Sequence, residues 1–139
     1  MSGIYATVRD SIAAAIASAG HGTYRPQGGY QPSDPAPIFF SKLPATPDRV
    51  VVVTAYPVSI PHVVGIQIRT RGSADATTSA EDLADDIRTT LHARADLPGI
   101  ELLTWQSGAR VGFDARNRDE MTANFYAVTT DPATATYHD

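Results

Sequence analysis

Apolar side chains recur at Ile4, Val8, Ile12, Ile16 and Ala19, a spacing of four with one step of three. That spacing lays a single stripe along an α-helix over residues 4–19. Ser2 stands where a hydroxyl would cap the helix start, and Gly20 stands where a left-handed residue would stop it. The other face, with Thr7, Asp10, Ala14 and Ser18, is small and mild, suited to solvent or to a neighbouring subunit. A second helix is predicted over 79–95, with Leu83, Ile87, Leu91 and Ala95 as its narrow stripe. Ser79 is its expected N-cap, the early carboxylates suit the positive end of its dipole, and Pro98-Gly99 ends it.

The rest of the chain alternates with period two or runs apolar, the mark of strands. Ile38–Phe40 is short, and Arg49–Tyr56 is Val-rich on both faces, as a central strand should be. Over His62–Arg71, Val64, Ile66, Ile68 and Thr70 share one face, while Gly65, Gln67, Arg69 and Arg71 share the other. Further strands are predicted at Ile100–Ser107, Arg110–Asp114 and Glu120–Thr130, joined by turns at Ser107-Gly108 and Ala115–Asp119. Residues 20–37 hold four glycines and four prolines and form a long loop to which Tyr24 and Tyr30 add adhesive surface. The expectation is one α+β domain over 1–130, a mixed or antiparallel sheet with two main helices packed on it. A loose tail is expected over 131–139.

Composition narrows the function classes. The 139 residues suit one core, and with no cysteine a disulfide scaffold, a thiolate metal site and a cysteine nucleophile all drop out. No stretch approaches the roughly 18 apolar residues of a membrane span, and the start lacks the pattern of a secretory signal. A soluble chain made in the cytoplasm, without membrane contact, is expected. The net charge of −4 argues against gripping duplex nucleic acid. Lys42 is the single lysine beside ten arginines, a bias that codon usage or interface chemistry would each produce.

Catalytic and metal constellations are missing. Glu81, Asp82, Asp85 and Asp86 read as carboxylates complementing a helix dipole rather than as a cation site. His21, His62, His92 and His138 are scattered without metal-ligand spacing, and Gln106-Ser107-Gly108 reads as a turn, not a nucleophile elbow. Gly28-Gly29 precedes no helix and forms no phosphate cradle. No cofactor and no catalytic residue are therefore assigned. The arginines carry more: Arg69 and Arg71 share a strand face with Gln67, while Arg116 and Arg118 sit in a predicted hairpin turn. They suit either solvated surface or a polar seam between subunits, with contact to confined DNA a third possibility.

Several short stretches, in order, resemble the minor capsid or tail terminator proteins of long-tailed phages, especially those of actinobacterial hosts. They are Gly22-Thr23-Tyr24-Arg25-Pro26, Leu43-Pro44, Pro47-Asp48-Arg49-Val50 and the run Val64-Gly65-Ile66-Gln67-Ile68-Arg69-Thr70-Arg71-Gly72. Asp82-Leu83-Ala84-Asp85, Gln106-Ser107-Gly108 and Asn124-Phe125-Tyr126 complete the set, spanning about residues 4–130. The resemblance implies a structural virion protein that is not an enzyme. It implies a homo-hexameric ring at the head-tail junction, which stops tail-tube polymerisation and joins the tail to the head. The implied partners are further copies of itself, the tail tube protein and a head-completion or neck protein, with DNA passing through the lumen as cargo. The arginine bias also fits a phage of a GC-rich host. Gln67, Arg69, Arg71, Arg116, Arg118, Tyr24 and Tyr30 are the candidates for subunit interface or lumen. The alternatives are another neck or head-completion component, or a stand-alone ligand-binding or enzymatic α+β domain.

Overall fold

The computed structural model describes residues 3–129. Its elements follow the order α1 (Ile4–Ser18), β1 (Ile38–Phe40), β2 (Val50–Pro57), β3 (Val63–Arg71), α2 (Ser79–Leu91), β4 (Ile100–Phe113) and β5 (Asp119–Thr129). The expected tail over 131–139, the Ser2 cap and Thr130 lie outside the described residues. One mixed five-stranded sheet runs in the order β1-β2-β3-β5-β4, with β1 parallel to β2 and the other pairs antiparallel. This is the α+β architecture expected from the hydrophobic pattern.

Both helices lie on one face of the sheet, α1 over β2 and α2 over β3 and β5. The stripe of α1 buries Val8, Ile12 and Ile16, and that of α2 buries Leu83, Ile87 and Leu91. They meet the inward residues Val51, Val53, Val64, Ile66, Ile68 and Phe125. At about 25 cal/mol per Å² of apolar surface removed from water, this shared layer supplies the main driving force for the fold. Gly3 takes the N-cap position of α1 without a side-chain cap. The other end closes as a Schellman motif: Gly20 (φ 82°) donates to the Ala17 carbonyl, and His21 donates to that of Ile16.

Three boundaries differ from the sequence pattern, each for a local reason. The predicted turn at Ser107-Gly108 is absent, and 100–113 forms one long strand. Gln106 is instead the extra residue of a bulge between the pairs Trp105–Phe125 and Ser107–Asn124. Gly108 sits in the ladder opposite Ala123, beside the Trp105 indole. The second helix ends at Leu91 rather than 95 because residues 92–94 turn to meet β4. There Ala93 donates to the Leu103 carbonyl at 2.8 Å, and Leu103 donates to that of Arg94 at 2.9 Å. Thr78, not Ser79, holds the N-cap position of α2, and no side chain of its own segment caps it.

The long loop of 20–37 is stitched to its own domain. Arg25 donates twice to Asp34, at 2.7 and 2.9 Å, and Thr23 pairs with Pro37 beside β1. The Tyr30 hydroxyl donates to the Ile38 carbonyl, so the short edge strand β1 is closed from outside.

Candidate functional site

Of the sequence-predicted candidates, Gln67, Arg69 and Arg71 fall on the face of the sheet turned away from the helices. Register fixes four rows across it. Thr54, Gln67, Asn124 and Ser107 form one row, joined by a bond from Asn124 Nδ2 to Ser107 Oγ at 3.2 Å. Beside it run Tyr56, Gly65, Tyr126 and Thr104, and on the other side Val52, Arg69, Thr122 and Ala109. Val50, Arg71, Glu120 and Gly112 make the last. The middle of the face is thus polar but uncharged, with Gln67, Thr122, Asn124 and Tyr126 half-buried. At Gly65 an added Cβ would lie 2.3 Å from the Tyr56 ring, so the missing side chain lets that ring lie flat on the strand. Burial, and then the neighbouring Tyr126, push the Tyr56 phenol above its ordinary pKa.

At one end of this face the arginines divide by role. Arg69 stays partly exposed and grips Glu120 through Nε at 2.7 Å and through Nη2. Arg71, at 2% exposure, is turned into the chain itself. Its guanidinium donates to the carbonyls of Asp48 (2.7 Å), Pro44 (2.8 Å) and Pro47 (2.7 Å), fastening the 44–48 loop over the sheet. Burial, then the neighbouring Arg118, lower its pKa from the ordinary arginine value. Arg118 is also buried: it donates to Asp114 at 2.9 Å, to the Ala45 carbonyl at 2.8 Å and to Asp48 at 3.1 Å. These bonds clamp the β4–β5 turn onto the same loop, and they hold the Asp114 carboxyl at about 2. A planar fork that is always charged can satisfy several fixed acceptors at once, which lysine cannot.

The seven candidate side chains therefore do not form one site. Gln67 and Arg69 lie together on the open face, and Arg116 lies at the exposed β4–β5 turn with no side-chain partner among the described residues. Arg71 and Arg118 are structural clamps inside the subunit. Tyr24 packs its ring 5.7 Å from that of Phe40, and its hydroxyl meets Asp10; Tyr30 packs 5.1 Å from Phe39. Burial and Asp10 raise the Tyr24 phenol well above its ordinary value. The row mates Thr54, Thr122, Asn124 and Ser107 were not singled out from the sequence. The alternation Thr122, Asn124, Tyr126 along the last strand was the available signal.

Two concavities lie elsewhere. A groove of about 660 Å³ is bounded by Gly28, Tyr30, Pro32, Pro37, Phe39 and Pro47. A hollow of about 430 Å³ lies between α1 and Pro98, and its one charged side chain, Arg94, is held by Asp96 at 2.6 Å. Neither gathers convergent acid–base groups. Among the described residues no cluster of three or more histidine and carboxylate side chains is assembled around a metal-sized space, and no helix is long and apolar enough to cross a membrane.

Comparison with known proteins bears on this surface. The chain is similar over 91% of its length, and over 90% of the other chain, to a protein in the virion of a native gene transfer agent particle. The TM-score is 0.51 at 16% identity, a likeness of fold. No curated protein sequence matches. A family profile described as bacteriophage tail terminator protein matches residues 15–131, which takes in the sheet, α2 and the last turn of α1. By that match the chain belongs to the bacteriophage tail terminator family, and is a structural protein of the phage tail.

Proposed function

We propose that this chain terminates the tail tube by closing into a ring, in the expected case of six copies, on its head-proximal end. The ring stops tube polymerisation and offers the head-completion or neck protein a docking surface, while DNA crosses its lumen as cargo. The observation that carries this reading is the helix-free sheet face, with its uncharged polar row Thr54, Gln67, Asn124 and Ser107. A ring needs two different patches per subunit, contact-competent yet not greasy enough to aggregate. The open sheet face supplies one such patch, and the helical layer behind it presents a different surface. Arg116, at the exposed β4–β5 turn, suits pairing with a carboxylate of a neighbour, whereas Arg69 is already held by Glu120. No residue is assigned a catalytic role.

Native mass spectrometry of the purified protein, alone and with tail tubes, tests the ring. Electron microscopy of tails made without the protein tests termination. The expected results are a closed multimer and tubes of uncontrolled length. A persistent monomer with tubes of normal length would overturn the proposal. Imaging of the virion separates terminator from neck component, since the terminator touches the last ring of the tube.

A further inference from the structure

We propose that the outer edge of β4, from Gln106 to Phe113, receives residues 130–139 of a second copy as an added strand. The inference rests on the head-to-tail ring proposed above and names the contact that links its subunits. Of the two sheet edges, β1 is only three residues long and is closed by Thr23 and the Tyr30 hydroxyl. On β4 the first half is also closed: Ala93 and Arg94 bond to Leu103, and the Trp105 N–H donates to His92 Nδ1 at 3.1 Å. Beyond it, the backbone of Gln106–Phe113 meets β5 on one side and no other described element on the other. This edge of eight residues is about 27 Å long and carries no lysine or proline; the features that blunt it are the bulges at Gln106 and between Arg110 and Gly112. Val111 and Phe113 on it are 51% and 49% exposed.

The occupant is identified by sequence and reach. After Thr129 the chain reads Thr-Asp-Pro-Ala-Thr-Ala-Thr-Tyr-His-Asp, in which Ala133, Ala135 and Tyr137 alternate with Thr134, Thr136 and His138. That is a period-two, β-branched pattern with an apolar side to lay against Val111 and Phe113. Asp131 and Asp139 flank it; Arg110, the one charged residue of the receiving edge, is held by Glu81 at 2.8 Å within its own subunit. The chain's own copy is badly placed to fill the edge. Thr129 pairs with Ile100, so Gln106 lies six positions up the strand, about 20 Å away, behind the 92–94 segment. The alternating run begins four residues past Thr129, a reach of at most about 14 Å. A neighbour's segment has no such limit, and its one-way donation propagates around a ring.

The chain has no cysteine, so engineered thiols report without background. Full-length Ala109→Cys and full-length Thr134→Cys proteins are mixed, alone and on tail tubes, and oxidised. A bridge between the two chains is expected about tenfold above a Ser59→Cys plus Thr134→Cys control, since a disulfide needs Cα atoms within about 7 Å. Adding Thr134→Pro and Thr136→Pro to the donor, with its cysteine moved to Ala135, should abolish the bridge, because proline removes the ladder N–H. A multimer that forms without the mixed bridge overturns the proposal and leaves the ring standing. So does an Ala109→Cys homodimer, which would mean β4–β4 pairing, or a bridge confined to one doubly substituted chain. A monomer under all conditions overturns both.

Discussion

Asp119 caps α2 from across the fold: its buried carboxylate accepts the backbone N–H of Ala80 at 3.1 Å. The first turn of a helix leaves N–H groups without intrahelical partners, and Thr78 and Ser79 do not satisfy this one. The carboxylate also fills the space over Gly72, where an added Cβ would sit 2.2 Å from Asp119 Oδ1. Asp119→Ala leaves the Ala80 donor buried and unpaired, which costs about 1–3 kcal/mol. Chemical denaturation should show that loss, with Asp119→Asn retaining part of the stability. Equal stability of Asp119→Ala and the parent protein would show that the cap contributes nothing.

Arg71 ties the end of β3 to the 44–48 loop through three backbone acceptors, so its replacement should act at a distance. Arg71→Lys keeps the charge but cannot reach the carbonyls of Pro44, Pro47 and Asp48 together. A loss of about 2 kcal/mol is expected, because three part-buried carbonyls lose a charged donor. Limited proteolysis should find new cleavage within 44–48 before any elsewhere. Unchanged protection of that loop would refute the clamp.

Why some of this was legible in the chain and some was not follows from the range of each interaction. The stripes Val8-Ile12-Ile16 and Leu83-Ile87-Leu91, and the alternation of 63–71, are local patterns set by 3.6- and two-residue periods, and their faces fall as expected. Gly20 acts at its own backbone and was equally readable. The β4 bulge at Gln106 was misread because Ser107-Gly108 has turn composition, while the partner strand that keeps it extended lies far along the chain. The early end of α2 likewise depends on Leu103 and Trp105. Arg71 and Gln67 share a face in sequence, yet only the 44–48 loop, folded over one end, buries the first and leaves the second half open. The Asp119 cap leaves no local trace at Ala80.

Acid should weaken the protein through named pairs. The Asp114 carboxyl is held at about 2, against 3.8 when free, first by its bonds from Arg118. Asp34 is held at about 2 in the same way by Arg25. A carboxylate whose folded value lies below its unfolded one binds fewer protons when folded. The stabilisation is therefore complete above the unfolded value and is lost as pH falls from about 5 toward 2. The Asp34→Asn, Asp114→Asn double variant should be less stable than the parent near pH 6 and should approach it near pH 2. Thermal melts across that interval decide it: a gap that stays constant with pH would exclude both pairs as its source.

The polar row on the open sheet face sets up the clearest separation of assembly from folding. Gln67 is half-buried, flanked by Thr54 and Asn124, and makes no ion pair. Gln67→Lys places an ammonium where its long stem reaches solvent in the free subunit, so the melting temperature should move little. In a ring whose seam includes this face, the same ammonium is buried without a carboxylate, at a cost of several kcal/mol per interface. Repeated around a closed ring, that cost should eliminate the multimer by native mass and lengthen the tails made with this variant. Asn124→Ser, which trims the same row without adding charge, should leave assembly intact. A Gln67→Lys protein that still closes rings would move the seam elsewhere on the subunit.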